Sequence, residues 1–431
     1  MDGPALAAGI RSRARMQRAV LWVAFLLVHG LLIWLNLALS FPQLGQIERP
    51  LGDVENYRHW VAQAFEHGEI VGISSPWVYP ILALPPMLLA GVFGAAPYVL
   101  VWLLSATVVN AIAFVVLLGR GAFAKGRRRA AWWWLAFLLL IGPVTLARLD
   151  GLTMAIAVVA LLLALRHPRL AAAVLTIAAW MKVWPAALIA SLVLAHRRRL
   201  SMLAVVGVLS GIIVIGCLVG GAGANVLSFI SSQSGRGVQL EAPIAMPWLV
   251  AVAMGNPDWR IEWDAQLLTY QVVGPGAAEV AAATTWLLAA GVLAVGAAGV
   301  LAVRRGARVW ALLPQLSVAL VCVLILGNKV GSPQYVVWLA APVVLGLVLA
   351  TRRWIAAASI LLLIAALTQV IYPFGYAQLL HADLFAVGVL ALKYLLTMWM
   401  LIWALAAMLR LGRHPTRHVG DGPQSGAIRL G

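Results

Sequence analysis

Apolar runs of about 20 residues recur along almost the whole chain, the length that spans the hydrocarbon core of a bilayer. Of its 431 residues 63% are hydrophobic and 10% charged, with a mean hydropathy of +0.96. That is more apolar surface than a soluble fold can bury, so the pattern specifies an all-α, polytopic transmembrane helical protein.

The charges between the runs give the path. Basic clusters lie at Arg11, Arg13, Arg15 and Arg18, at 119–131, at Arg166/Arg169, at Arg197–Arg199, at Arg304/Arg305/Arg308, at Arg352/Arg353 and in the C-terminal tail. Together they hold 23 of the 31 Lys and Arg residues. Twelve of the 14 acids fall in or beside the patches between them, at 41–78, 148–151, 181–184, 221–278, 327–335 and 372–383. By the positive-inside rule the clusters are cytoplasmic, which gives about 12 membrane segments with both the N- and C-termini cytoplasmic. The net charge of +17 is then the sum of cytoplasmic helix ends, and nucleic acid is not a partner. The first run, about 19–40, exceeds a signal-peptide core and reads as an uncleaved first span. Residues 1–410 are expected to form a single membrane domain, and 411–431 a disordered cytoplasmic tail.

Two pieces depart from simple spans. Segment 79–93 is apolar, but a full crossing there would put the 119–131 cluster outside, so it is expected to be re-entrant or to lie along the outer interface. The runs 170–181 and 184–196 are short for crossings, which sinks the Met181–Pro185 turn below the outer surface. Backbone of that kind is tolerated only beside protein or a water-filled cavity.

The candidate chemistry lies in the outward patches. The first outer loop, 41–78, is long and predicts a short surface helix from the spacing of Trp60, Val61, Ala64 and Phe65. Asp53 stands at the start of that helix, and two readings are open: a helix N-cap, or a carboxylate held over a membrane cavity as a general base. In the longest outer loop, Arg236 can hold a phosphate, and Gln239 and Glu241 can hydrogen-bond sugar hydroxyls; the alternative is a solvated loop. The neighbouring stretch 256–266 reads as solvated loop. Lys329, Gln334 and Tyr335 form a dense polar group between two spans, although a lysine there can also snorkel to the interface. Lys182, in the sunken turn, requires an anionic partner, because an unpaired charge at that depth costs on the order of 2.5–3.5 kcal/mol. Arg148 and Asp150 can pair with each other, and Lys393 can pair with an acid or reach a lipid phosphate. Cys217 and Cys322 lie in apolar runs and read as packing residues. The eight His residues do not cluster, so no metal site is assigned, and no nucleotide or redox-cofactor motif is present.

Four local features resemble the membrane-embedded C-superfamily glycosyltransferases, and within them the actinobacterial family 87 group of polyprenyl-phosphate-mannose-dependent α-(1→2)-mannosyltransferases. They are Asp53 with Tyr57, Lys182-Val183-Trp184-Pro185, Arg236 to Glu241, and Asn328 to Tyr335; Tyr372-Pro373 adds to them. One departure is that Tyr79-Pro80 is separated from Pro85-Pro86, where such proteins tend to show Tyr-Pro-Pro. The resemblance implies an inverting transfer of a hexose, mannose in the first instance, from a polyprenyl-phosphate sugar donor. The acceptor would be a cell-envelope glycolipid or glycan at the outer face of the cell membrane. Asp53 would be the catalytic base. Lys329, Lys182 and Arg236 would bind the donor phosphate, without a cofactor. Tyr57, Gln239, Glu241, Gln334 and Tyr335 would bind sugar or acceptor. The competing reading is a transporter or flippase of lipid-linked sugars, which also uses broken helices and buried charges.

Overall fold

A computed structural model describes residues 3–40, 49–119, 125–232, 236–265 and 269–411. The expected tail lies outside the described residues apart from Leu411. The chain is almost entirely helical. Helix α1 (Gly3–Leu39) is followed by α2 (Gly52–His67), the short α3 (Leu84–Gly91), α4 (Tyr98–Leu118) and α5 (Lys125–Ile141). A single turn, α6 (Val144–Ala147), leads into α7 (Leu149–Leu163), α8 (Pro168–Met181), α9 (Ala186–Ala195) and α10 (Arg199–Val219). The long loop that follows carries α11 (Ser228–Ser231), α12 (Met246–Ala253) and a two-stranded antiparallel hairpin, β1 (Arg260–Asp264) and β2 (Thr269–Val273). Helices α13 (Ala277–Arg304), α14 (Val309–Leu326), α15 (Ala340–Gln369), α16 (Tyr376–Leu380) and α17 (Leu384–Arg410) complete it.

Among the described residues seven helical stretches are long and apolar enough to cross a membrane, and α7, α8 and α9 are shorter apolar helices. The longest stretch, Pro333–Phe374, folds back on itself. Ala350 breaks it with non-helical backbone at φ −152° and ψ 59°, and a Cβ on Gly346 would overlap the Trp354 ring. Its two arms run in opposite directions along α5. The Val348 carbonyl oxygen lies 2.7 Å from a Cβ built on Gly126, and the Trp133 indole donates to the Ala358 carbonyl at 2.9 Å. Farther along, Gln369 packs on Gly142, beyond the other end of α5. The Arg352/Arg353 cluster therefore marks a reversal at the same end as the start of α5, although the helix reads as continuous.

The apolar surfaces are divided as a bilayer requires. Helices α14 and α7 are buried nearly all round, whereas α10 leaves Leu203, Val208, Ile212 and Ile215 exposed. Helix α1 packs into the bundle: Phe25 lies against Phe114 of α4, with centroids 5.0 Å apart, and the Asn36 amide donates to the Pro143 carbonyl at 3.2 Å. At the basic end Arg127 is buried and donates to the Val116 and Leu117 carbonyls at 2.9 and 2.8 Å. It thereby satisfies carbonyls at the end of α4 that have no partner within the helix.

Segment 79–93 does not cross. Helix α3 has eight residues, about 12 Å of rise, and its last turn is pressed on α2, where Gly91 faces Val61 and Phe65 without room for a side chain. Helices α8 and α9, of 14 and 10 residues, correspond to about 21 and 15 Å. Their junction at Lys182 therefore lies within the bundle. The junction between α6 and α7 is deeper still, with Thr145, Arg148 and Asp150 all buried.

One expectation is corrected here. Residues 256–266 are not plain solvated loop, because 260–264 form β1, paired in register from Arg260↔Val273 to Asp264↔Thr269. The free edge of β2 takes up the 238–240 segment: Val272 N–H donates to the Val238 carbonyl at 2.9 Å, and Leu240 N–H to the Tyr270 carbonyl at 3.0 Å. A patch that reads as loop in sequence is thus held against the hairpin by an isolated antiparallel bridge at Gln239 and Gln271.

The α6–α7 turn depends on Gly151. A Cβ at that position would overlap the Thr145 carbonyl oxygen, which is backbone and cannot swing away. Gly151→Ala should lower the stability of the purified protein by about 1–3 kcal/mol, as overpacking does, seen as a lower thermal unfolding midpoint in detergent. An unchanged midpoint would show that this turn relaxes freely.

Candidate functional site

The outward patches converge on one cavity of about 670 Å³. Its wall includes Asp53, Tyr79, Arg148, Lys182, Arg236, Gln239, Glu241, Gln334, Tyr335, Trp338 and Tyr372. Nine separate stretches of chain contribute, from α2 to the start of α16.

Asp53 reaches the wall from the first turn of α2. It is not an N-cap: Leu51 occupies that position, and no side chain caps the helix. The carboxylate instead turns to Arg148, and Oδ1 forms an ion pair with its guanidinium. Arg148 is also tied by a 2.7 Å hydrogen bond from Nη2 to the Tyr372 hydroxyl, which in turn donates to the Arg49 carbonyl at 3.0 Å. A chain of polar contacts therefore fixes the start of α2 over the α6–α7 junction. Arg148 is 7% exposed and Asp53 29%, so the carboxylate is the partner that meets the cavity.

Asp150 has a different partner from the one expected. It does not pair with Arg148, whose guanidinium is taken by Asp53. Its Oδ2 lies 3.2 Å from Lys182 Nζ, and its Oδ1 accepts the Trp338 indole N–H at 2.7 Å. The ammonium also lies over the Tyr79 ring, 4.5 Å from the centroid. This satisfies the requirement that Lys182, at that depth, have an anionic partner. Asp150 sits in the first turn of α7, where the helix dipole favours a carboxylate.

Aromatic rings line the adjoining wall. Tyr335 stacks on Trp338 at 4.1 Å, and Trp338 is parallel to Trp184 at 5.7 Å and 7°. Tyr335 and Trp338 share a face because Pro333–Leu339 is a 3₁₀ helix, in which residues three apart eclipse.

The roof comes from 236–241. Gln239 N–H donates to the Lys329 carbonyl at 3.0 Å, and the Tyr394 hydroxyl donates to the Glu241 carbonyl. Gly331 lies so close to the Glu241 backbone that any side chain would overlap it, which binds the roof to the 328–335 turn. Arg236 Nε and Gln239 Nε2 are buried with no acceptor among the described residues. Such donors are costly unless a ligand or water meets them.

The other candidates take different positions. The Lys329 side chain is buried behind the wall rather than on it, and burial, followed by the neighbouring Arg236, lowers its ammonium pKa from the ordinary value. Tyr57 is 1% exposed and packs against Trp102, with centroids 4.9 Å apart. It supports α2 from behind instead of lining the cavity, so the geometry does not place it as a sugar or acceptor contact. Glu241 lines the wall, with Oε2 4.0 Å from the buried Lys393 ammonium of α17, so Lys393 pairs with an acid rather than a lipid phosphate. Ser332 and Gln334 hydrogen-bond to each other. Among the described residues no three His, Cys, Asp or Glu side chains gather as metal ligands.

Comparison with known proteins bears on this cavity. Residues 77–255 match the model of glycosyltransferase family 87. That segment, less than half of the chain, is similar to the family. It takes in Tyr79, Arg148, Asp150, Lys182, Arg236, Gln239 and Glu241, while Asp53 and the 328–335 turn lie outside the matched segment. No curated protein and no solved structure matches the chain.

Arg148, Trp338 and Tyr372 were not singled out as site residues in the sequence. Arg148 had a signal, since an arginine among apolar runs marks function by default. Trp338 could have been found only by treating 333–339 as a tight helix with Tyr335.

The Asp150–Lys182 pair can be tested by separating charge from contact. Asp150→Ala should cost about 3–5 kcal/mol, because it leaves a buried ammonium uncompensated. Combining Asp150→Asn with Lys182→Met should recover much of that loss in thermal unfolding. A double variant as unstable as Asp150→Ala would remove the charge argument.

Proposed function

We propose that the protein transfers a hexose, mannose in the first instance, from a polyprenyl-phosphate donor to a glycolipid or glycan acceptor of the cell envelope. The reaction would invert the anomeric centre and take place at the non-cytoplasmic face. The observation that carries the reading is a single cavity whose wall holds a carboxylate, Asp53, together with an arginine, Arg236, that has no ion-pair partner among the described residues.

The chemistry runs as follows. The acceptor hydroxyl attacks the sugar C1, the bond from C1 to the phosphate oxygen breaks, and the hydroxyl proton passes to Asp53. Arg148 orients Asp53 through Oδ1, while Oδ2 is the oxygen left for the acceptor hydroxyl. General-base help of this kind contributes about 10²–10⁴-fold. The leaving polyprenyl phosphate gains negative charge, which Arg236 and Lys182 would offset from the roof and the floor. The buried donors Arg236 Nε and Gln239 Nε2 suit phosphate and sugar oxygens. The stacked Tyr335–Trp338–Trp184 wall suits the apolar face of a pyranose or the first isoprene unit. The lipid tail requires a bilayer, which the exposed apolar helix faces supply. The localisation follows from the charge sorting: the cavity lies at the acidic ends of the helices, away from the arginine clusters.

Two measurements test this reading. Asp53→Asn, with radiolabelled polyprenyl-phosphate mannose and a membrane lipid extract, should lower transfer by about 10²–10⁴-fold while the protein still purifies as a folded monodisperse species. Near-normal turnover would remove Asp53 as base. Arg236→Ala should lower kcat/KM for the donor by about tenfold or more, as loss of a charge-assisted phosphate contact does, with little change in the acceptor KM. An unchanged donor kcat/KM would take Arg236 out of the phosphate site.

A further inference from the structure

A second cavity, of about 780 Å³, lies at the opposite, basic end of the bundle. Helix α14 links the two: its first residues, Val309 and Trp310, line this one, and Leu324 near its other end lines the candidate active site. Its 18 residues span about 27 Å, so the two cavities are well separated.

The composition of this cavity is distinctive. Arg197, Arg198, Arg308 and Arg353 rim it, contributed by three different connections: α9–α10, α13–α14 and the reversal of α15. No Asp or Glu lines it, and no ion pair among the described residues engages any of the four. The deeper wall is apolar, with Val303, Trp310 and Leu349. The first turn of α14 also opens here without a side-chain cap, so its backbone N–H groups add positive potential. Positive-inside sorting accounts for arginines at helix ends. It does not account for four of them surrounding a concave space with apolar walls.

We propose that this cavity binds an anionic phospholipid of the cytoplasmic leaflet, its phosphate held by Arg197, Arg198, Arg308 and Arg353 and the start of its acyl chains lying against Trp310 and Leu349. Guanidinium groups match phosphate oxygens in pairs, and basic pockets between helices at this face suit anionic head groups. The volume is that of a small-molecule site. The bound lipid would fasten together three connections that are otherwise joined only through their helices. This proposal does not depend on the reaction at the other end.

The test uses the purified full-length protein in mixed micelles, with native mass spectrometry to count bound lipid and thermal unfolding to read stabilisation. The probes are phosphatidylglycerol, phosphatidylcholine and inorganic phosphate. Phosphatidylglycerol should bind and raise the unfolding midpoint, and phosphatidylcholine should do neither. The combined Arg197→Gln, Arg308→Gln and Arg353→Gln variant should bind phosphatidylglycerol about tenfold or more weakly, from the loss of three cation–headgroup contacts. The corresponding triple lysine variant keeps the charge and should retain the preference, and Arg304→Gln, off the cavity, should behave as the parent protein. Equal binding of the two lipids, or an unaffected glutamine variant, would overturn the proposal. Stabilisation by inorganic phosphate equal to that by phosphatidylglycerol would also overturn it, by identifying a free anion as the ligand. If the triple glutamine variant does not fold, Arg353→Gln alone should still weaken phosphatidylglycerol binding; unchanged binding there would count against the site.

Discussion

The candidate site depends on charge compensation inside an apolar layer. Arg148, Lys182 and Lys393 lie inside the bundle, Arg148 and Lys393 buried and Lys182 mostly so, and each meets a carboxylate from a different element: Asp53, Asp150 and Glu241. In a medium that solvates ions poorly, an unmatched charge costs several kcal/mol, so each pair also acts as a tether. The first ties α2 to the α6–α7 junction, the second ties that helix to the α8–α9 turn, and the third ties the 236–241 roof to α17. The cavity walls are held by the pairs that permit polar groups to be there.

The tethers differ in what they leave available. Asp150 is used on both oxygens, by Lys182 and by the Trp338 indole, and so stands as structural support for the floor. Asp53 is paired through one oxygen and keeps exposure to the cavity. That difference suits Asp53 to proton transfer and Arg148 to orienting it in the proposed reaction. The roof is held by other means, chiefly backbone pairing of 238–240 with β2 and the glycine contact of Gly331 against Glu241. Rigid hydrogen-bonded backbone there can hold Arg236 and Gln239 in place, although nothing in their local sequence specifies that pairing.

The reversal at Ala350 shows how charge and helicity compete. Apart from Pro342 in the first turn and Gly346, local propensity runs through 340–369, and the helix is broken only at Ala350. Yet Arg352 and Arg353 cannot lie midway through the hydrocarbon, so the chain turns back where they fall, with Gly346 admitting the Trp354 ring. The same arginines then join Arg197, Arg198 and Arg308 around the second cavity.

The helical class, the sorting of charge between the two ends, the shortness of the 79–93 helix and the turn at Lys182 are legible in the order of residues. These follow from hydrocarbon thickness and the cost of charge within it, which act on each stretch of chain separately. The partners emerge from the packed bundle: Arg148 with Asp53 rather than Asp150, Tyr57 and Lys329 behind the wall rather than on it, Trp338 beside Tyr335, and 260–264 as a strand rather than a loop. Pairing joins residues as far apart as Asp150 and Trp338, and a local pattern carries no information about which of several depth-matched charges will be in reach. Depth was legible because it is a property of each segment; adjacency was not, because it is a property of the packed bundle.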